Sequence, residues 1–187
     1  MILTKSVALD DEDLAMSQAK NERDDVEISR LLAGAAKTIA GVRYCWLVTG
    51  AETGLANARP MGRVLPEEDD WTIRFVTGGR SRKASDICRT GEVGLIFQRD
   101  QDDAYIVLSG KARLIEQASD VDRLWKAAYD AYFPNETERA NAAFIEVPVA
   151  RMELWIRGVT PEPFGLRPSV LERDTGAAWR ISDRNAA

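Results

Sequence analysis

The sequence predicts a mainly β domain of the α+β class, a small antiparallel barrel with flanking helices. Its 187 residues suit one domain with a full hydrophobic core. Apolar residues recur with helical spacing before Gly41 and then follow the alternating or β-branched pattern of strands. Strands joined by short turns are antiparallel, and five or six such strands with inserted helices favour a barrel.

The first half of the chain contains one long helix, three strands and one short helix. Residues 1–25 are polar and acidic and predict a frayed arm, followed by a helix over Asp25–Ala40. A three-stranded meander is expected over Tyr44–Thr49, Leu55–Leu65 and Trp71–Thr77. A short helix then opens at Ser81 and is closed by Thr90 and Gly91.

The second half predicts further strands around a second long helix. Strands are expected over Glu92–Phe97, Ala104–Ile115 and Ala178–Ser182. Gly110 lies inside one of them and predicts a bulge or bend. Ala143–Val149 and Met152–Arg157 are expected to form one last core strand, with Pro148 at a kink or edge position. Ser119 is expected to cap a helix over Asp120–Tyr132, and a shorter helix follows over Glu136–Ala142. We divide the chain into an arm (1–25), the barrel domain (26–160) and a C-terminal extension (161–187).

Composition removes several functional classes. The chain has no histidine, which argues against Ser-His-Asp and Cys-His nucleophiles and against His-ligated zinc or haem. The two cysteines, Cys45 and Cys88, lie among apolar neighbours and are expected to be buried reduced thiols, so we expect no metal site. The net charge of −5 argues against a nucleic-acid partner. No apolar run would span a bilayer, and we expect a cytoplasmic protein without a membrane partner.

A cationic segment around the second helix suggests a phosphate site. Five Lys or Arg residues and one acid, Asp86, lie between Arg74 and Arg89 in a chain that is acidic overall. Thr77, two glycines and Ser81-Arg82-Lys83 lead from a strand into a helix N-terminus, where unpaired N–H groups and the helix dipole favour anions. The alternative is a solvated turn in which Ser81 is an ordinary N-cap.

A proline-containing strand and several tryptophans offer surfaces for a flat ligand. The run Ala58–Val64 contains Arg59 and Arg63, and a flat ligand would lie on its backbone while Arg59 reaches an anionic group. The alternative is an edge strand with solvent-exposed arginines. Trp46 and Trp125 are expected in the core, while Trp155 suits either a planar ligand or an ordinary packing role.

The order of these motifs resembles that of the pyridoxamine 5′-phosphate oxidase-like flavoproteins, in particular their general stress protein branch. The motifs are Arg59-Pro60-Met61, Phe75-Val76-Thr77, Ser81-Arg82-Lys83-Ala84, Ser109-Gly110-Lys111-Ala112, Leu124-Trp125 and Glu153-Leu154-Trp155. The resemblance covers about Ile28 to Arg157 and implies a split β-barrel that binds FMN at a homodimer interface.

The resemblance also implies roles for individual residues. Arg59 and Lys83 would hold the FMN phosphate with help from Thr77, Ser81 and Arg82. The isoalloxazine and ribityl chain would be bordered by Arg59, Pro60, Met61, Gly62, Arg63, Val64 and Val76. Trp155 matches a tryptophan near the flavin, and Tyr105 stands where the oxidase has a flavin-contacting glutamine.

The departures from the family pattern bear on the reaction. Val64 stands where the oxidase has a substrate-binding lysine, and the family's Arg-Leu-His motif is absent. We therefore expect an FMN-dependent oxidoreductase on an unknown small molecule, with NAD(P)H as a candidate electron donor and without pyridoxamine 5′-phosphate oxidase activity. No catalytic residue is assigned. The alternatives are a flavin-binding or flavin-sequestering protein without turnover, or a split barrel that binds another phosphate-bearing cofactor such as a deazaflavin.

Overall fold

A long helix precedes the sheet and covers one of its faces. The computed structural model describes residues 11–62, 70–174 and 177–182, with side chains from residue 14 onward. Helix α1 spans Asp11–Gly41 and therefore begins before the predicted Asp25. No glycine or proline interrupts residues 11–33, so the helix continues through the polar segment although residues 14–23 are exposed. Only its C-terminal half is anchored, through the buried side chains of Leu31, Ala35 and Ile39.

Among the described residues, nine strands form one antiparallel sheet, as the predicted fold class requires. The strands are β1 (Tyr44–Gly50), β2 (Ala56–Gly62), β3 (Thr72–Gly78), β4 (Glu92–Arg99), β5 (Ala104–Lys111), β6 (Arg113–Ile115), β7 (Ala142–Ile156), β8 (Ser169–Glu172) and β9 (Arg180–Ile181). The remaining helices are α2 (Arg82–Thr90), α3 (Ala118–Leu124) and α4 (Glu136–Ala140). The order is β2-β1-β4-β5-β7-β8-β9, with β3 and β6 also paired to β7, and these described strands do not close into a barrel.

The sheet is split between β2 and β3. The predicted meander holds for the β1–β2 hairpin, but β3 pairs with β7 and not with β2. Ile73 and Phe75 of β3 lie opposite Val147 and Ile145 of β7, and all four side chains are buried. This burial of apolar area explains the change of partner. It leaves β2 at the edge of the described sheet, beside a gap.

The longest strand, β7, joins the two parts of the sheet. It is continuous through Pro148 and pairs with β3 and β6 near its start and with β5 and β8 near its end. The register between β5 and β7 shifts between Ser109 and Gly110, which confirms the predicted irregularity. A Cβ atom at Gly110 would collide with the carbonyl oxygen of Pro148, so the bulge requires glycine.

The second long helix was predicted wrongly. Helix α3 ends at Leu124, the chain is extended at Trp125 and Lys126, and a 3₁₀ turn follows over Ala127–Tyr129. Ser119 does not cap the helix, because the N-cap position falls on Gln117, which makes no side-chain capping bond. Edge-to-face contacts among Trp125, Tyr129, Phe133 and Phe144 replace the helix, with ring centroids 5.6–5.8 Å apart. Aromatic packing here overrides local helix propensity.

The main core lies between α1 and the inner face of the sheet. Leu47, Leu95, Ile106 and Met152 come from β1, β4, β5 and β7 and are fully buried in this core. Cys45 is buried as predicted, and burial raises the pKa of its thiol to about 12. Cys88 is exposed on α2, so its predicted burial is wrong. None of the helices in the described ranges is long and apolar enough to cross a membrane.

Candidate functional site

A cavity of about 600 Å³ opens at the gap between β2 and β3. Five of the residues predicted to contact a ligand line it, namely Pro60, Met61, Gly62, Val76 and Lys83. The other lining residues are Arg43, Tyr44, Phe75, Ala128, Tyr129, Tyr132 and Phe133. One strand edge, the start of one helix and one aromatic segment therefore meet at a single site.

Strand β2 offers its backbone edge to this cavity. Its partner is β1, and no other described strand pairs with it. An edge strand presents unpaired N–H and C=O groups along its free side. Pro60, Met61 and Gly62 reach the cavity from this edge, and the small Gly62 keeps the backbone accessible. A planar ligand with polar atoms along one edge would find hydrogen-bonding partners here.

The turn that enters α2 forms one end of the site. Ser81 is the N-cap of α2, and its hydroxyl accepts a hydrogen bond from the Ala84 N–H at 3.3 Å. The buried Thr77 lies with its hydroxyl 3.3 Å from that of Ser81. Gly91 closes the helix in the left-handed conformation, with a φ of 69°. Both predicted helix ends are confirmed, and the alternative of Ser81 as an N-cap holds as well.

A hydrogen-bonded network surrounds Arg59. Its Nη2 donates to the Thr49 hydroxyl at 3.0 Å and to the Asn57 carbonyl at 3.3 Å, and lies 3.5 Å from Asp86 Oδ2. Thr49 and Asn57 also donate to Asp86 Oδ2, at 2.8 and 3.1 Å. The other terminal nitrogen of Arg59, Nη1, is buried and finds no partner among the described residues. A buried donor without a partner is costly and points to a missing acceptor.

Lys83 is a second cation and lines the cavity itself, whereas Arg59, Thr77 and Ser81 lie beside it and do not line it. Lys83 lies in the first turn of α2 and is half-buried. Burial lowers the pKa of its amino group, and the nearby positive charge of Arg59 lowers it further. An anion bound between the two side chains would relieve this repulsion. Arg82, the preceding residue, is exposed and does not line the cavity.

Tyr105 and Trp155, which were also predicted to contact the ligand, lie away from the cavity. They face each other across β5 and β7, on the side of the sheet opposite the core. The Tyr105 hydroxyl donates to Asp100 Oδ1 at 3.1 Å, and its ring lies 6.3 Å from that of Phe164. Neither residue lines the cavity of its own chain. Arg63 and Val64, two further predicted ligand contacts, lie outside the described residues.

Sequence reasoning missed the aromatic wall of the cavity. Tyr129, Tyr132 and Phe133 line it from the irregular segment after α3, and Tyr132 is 67% exposed. The sequence predicted Tyr132 as the last residue of a long helix, Asp120–Tyr132, and not as part of an irregular segment. Pro134 marks the predicted end of that helix, but no local signal reveals that α3 already ends at Leu124.

The outer face of the sheet carries an apolar patch, which we call the outer face patch. It consists of Tyr44, Trp46, Val48, Ile96, Val107 and Trp155. Trp46 is 48% exposed and Tyr44 is 51% exposed, so the predicted core position of Trp46 is wrong. Contiguous apolar patches of this kind commonly mark binding interfaces.

Comparison with known proteins connects this geometry to one protein family. Residues 33–160 match the profile of the family described as pyridoxamine 5′-phosphate oxidase like. The matched segment includes the cavity, the Arg59 network and the outer face patch. A search of curated proteins gives no match.

Solved structures share the fold at low sequence identity. A protein from Clostridium acetobutylicum related to general stress protein 26 has 15% identity and a TM-score of 0.64, over 76% of this chain and 94% of its own. An FMN-binding protein from Nostoc punctiforme, related to pyridoxamine 5′-phosphate oxidase, has 16% identity and a TM-score of 0.62, over 81% and 93%. PhzG from Burkholderia lata has 21% identity and a TM-score of 0.59, over 83% and 88%.

Proposed function

Since the chain belongs to the pyridoxamine 5′-phosphate oxidase-like family, we propose that it is a flavoprotein that binds FMN at the gap between β2 and β3. The observation that carries this proposal is the buried Nη1 of Arg59, which has no partner within the described part of the chain and lies close to Lys83. A phosphate oxygen is an acceptor that would satisfy this donor and neutralise both cations. The family resemblance and the FMN-binding relative from Nostoc punctiforme support the same ligand.

The phosphate would lie at the α2 end of the cavity. Arg59 and Lys83 supply charged donors, and the N-terminus of α2 contributes the positive end of its dipole. The Ser81 hydroxyl accepts from Ala84 and remains able to donate its own proton to a phosphate oxygen. The Thr77 hydroxyl lies 3.3 Å from that of Ser81, and the exposed Arg82 adds positive charge at the position before Lys83.

The ring system would lie along β2 and the aromatic wall. Pro60, Met61 and Gly62 would border one side, with Val76 across the gap. Arg63 and Val64 continue the same segment and belong to this proposal on the family resemblance alone. Tyr129, Tyr132 and Phe133 would exclude water from the ring. Bound FMN would supply redox chemistry, while the chain supplies binding, orientation and exclusion of solvent.

We further propose that two copies assemble through the outer face patch. Trp46 lies opposite Ile96, which in turn pairs with Val107, and Tyr44 and Trp155 lie on the same face of the sheet. A second copy would cover this face. Tyr105 and Trp155 would then lie at the interface, within reach of a flavin bound by the other copy. This arrangement would explain why Trp155, which matches the family motif, does not line the cavity of its own chain.

The assembly is tested by placing a charge in the patch. Trp46→Glu should convert the dimer to a monomer in light scattering at micromolar concentration, because burying an unpaired carboxylate is costly. The matched control is Leu14→Glu, which introduces the same charge at an exposed apolar position of α1. A wild-type monomer that still binds flavin would contradict the proposed assembly.

The cofactor itself is tested by mass spectrometry of the ligand released from denatured, purified protein. FMN is the expected species. Release of riboflavin, FAD or a deazaflavin, or of no flavin at all, would overturn the assignment. Anaerobic bleaching of the bound flavin by NAD(P)H would support an oxidoreductase, whereas a flavin that resists reduction would favour a binding protein without turnover.

A further inference from the structure

We propose that Asp86 is a positioning residue, which fixes the Arg59 guanidinium so that Nη1 points to the phosphate; this rests on the proposed FMN site. Asp86 lies on α2 and is 8% exposed. Its Oδ2 atom receives the Thr49 hydroxyl at 2.8 Å and the Asn57 amide at 3.1 Å, and lies 3.5 Å from Arg59 Nη2. Residues from β1, β2 and α2 are thereby tied to one carboxylate oxygen.

The two terminal nitrogens of the Arg59 guanidinium have different roles in this proposal. Nη2 is occupied by the Thr49 hydroxyl, the Asn57 carbonyl and the Asp86 carboxylate. Nη1 is buried and has no partner among the described residues. Arginine has several rotatable bonds, and a planar fork is selective only when its orientation is held. The network holds one half of the fork and leaves the other half for an anion.

The charge of Asp86 by itself is expected to weaken FMN binding, whereas its positioning of Arg59 is expected to strengthen it. The hydrogen bond from Thr49, together with those from Asn57 and Arg59, outweighs burial and lowers the pKa of Asp86, so the carboxylate is charged at neutral pH. A negative charge 3.5 Å from Arg59 weakens the attraction of this end for phosphate. Removing that charge would therefore tighten FMN binding if Asp86 acted only through charge. If Asp86 acts by positioning Arg59, removing it weakens FMN binding.

The experiment compares the affinities of FMN and riboflavin, which differ only in the phosphate. Asp86→Asn should lower the affinity for FMN about tenfold and leave that for riboflavin unchanged, since one oriented charge-assisted bond is lost. Asp122→Asn is the matched control, because it removes an exposed carboxylate on α3 that does not line the cavity. Thr49→Val removes the hydroxyl that bridges Arg59 and Asp86 and should give a smaller loss of the same kind.

The outcomes separate this inference from the proposed function. Wild-type protein that does not bind FMN would refute the FMN site itself. Wild-type protein that binds FMN, with unchanged or tighter binding in Asp86→Asn, would refute the positioning role alone. Equal losses for FMN and riboflavin would also refute it, because they indicate a structural effect on the whole cavity. If Asp86→Asn does not fold, the same comparison in Thr49→Val decides the question.

Discussion

The two ends of the cavity are built in different ways. At the α2 end Lys83 lines the cavity, and beside it Arg59 and Asp86 are fixed by hydrogen bonds between elements that are distant in sequence. At the opposite end, Tyr129, Tyr132 and Phe133 come from an irregular segment shaped by contacts between rings. The first end suits recognition of charge, which depends on direction. The second suits recognition of a flat surface, which depends on area and shape.

Because of this difference, binding of the flavin phosphate and binding of the flavin ring should be weakened by different substitutions. A change at the polar end should alter the preference for FMN over riboflavin. A change at the aromatic end should alter the affinity for both by the same factor. The three predictions below test this separation, in order of expected effect.

The largest effect is expected for the cations of the polar end. Lys83→Ala and Arg59→Ala should each lower FMN affinity about ten- to a hundredfold, because a charged hydrogen bond contributes roughly 1.5–3 kcal/mol. Riboflavin affinity should remain that of the wild type. Fluorescence titration of the apo-protein measures both. Unchanged FMN affinity in both variants would show that the phosphate does not bind at this end of the cavity.

A smaller and uniform effect is expected at the aromatic end. Tyr132 is exposed, so Tyr132→Ala should leave the fold intact and lower the affinities for FMN and riboflavin equally, by about two- to tenfold for a lost ring contact. Tyr132→Phe is the control, since it keeps the ring and removes only the hydroxyl. If Tyr132→Ala reduced FMN binding alone, the division of the cavity into two ends would be wrong.

The smallest effect concerns pH. Burial and the charge of Arg59 lower the pKa of Lys83 below its ordinary value of 10.5. Lys83 attracts phosphate only when protonated, so FMN affinity should be full below this lowered pKa and fall as the pH rises through it. In Lys83→Arg the alkaline loss should disappear, because arginine stays charged. Riboflavin titrated over the same range reports any ionisation of the ring. An identical alkaline loss in Lys83→Arg would exclude Lys83 as its cause.

The ends of a helix could be predicted from the sequence where local capping residues define them. Ser81 and Gly91 mark the ends of α2, and the structure has a side-chain cap at one and a left-handed glycine at the other. In the segment after Gln117 the predicted cap, Ser119, does not cap the helix, and ring contacts with Phe144 in β7 determine the course of the chain. Such contacts join residues that are distant in the chain, so a local pattern cannot reveal them.

The same reason limits what could be predicted of the site. The motifs that contain Arg59 and Lys83 could be recognised in the sequence. The partners of Asp86 could not, because Thr49 and Asn57 come from β1 and β2, which are distant from α2 in the chain. Alternation along β1 correctly separates Trp46 from its buried neighbours Cys45 and Leu47, yet it does not tell which face is covered. The exposure of Trp46 follows from the arrangement of α1, which covers the other face of the sheet.

The most direct test of the account is a parallel titration of wild-type apo-protein with FMN and riboflavin. Under the proposed function, Arg59 Nη1 and Lys83 bind the phosphate of FMN. FMN should therefore bind at least about tenfold more tightly than riboflavin, as expected for charge-assisted contacts to the phosphate. Equal affinities, or tighter binding of riboflavin, would contradict it.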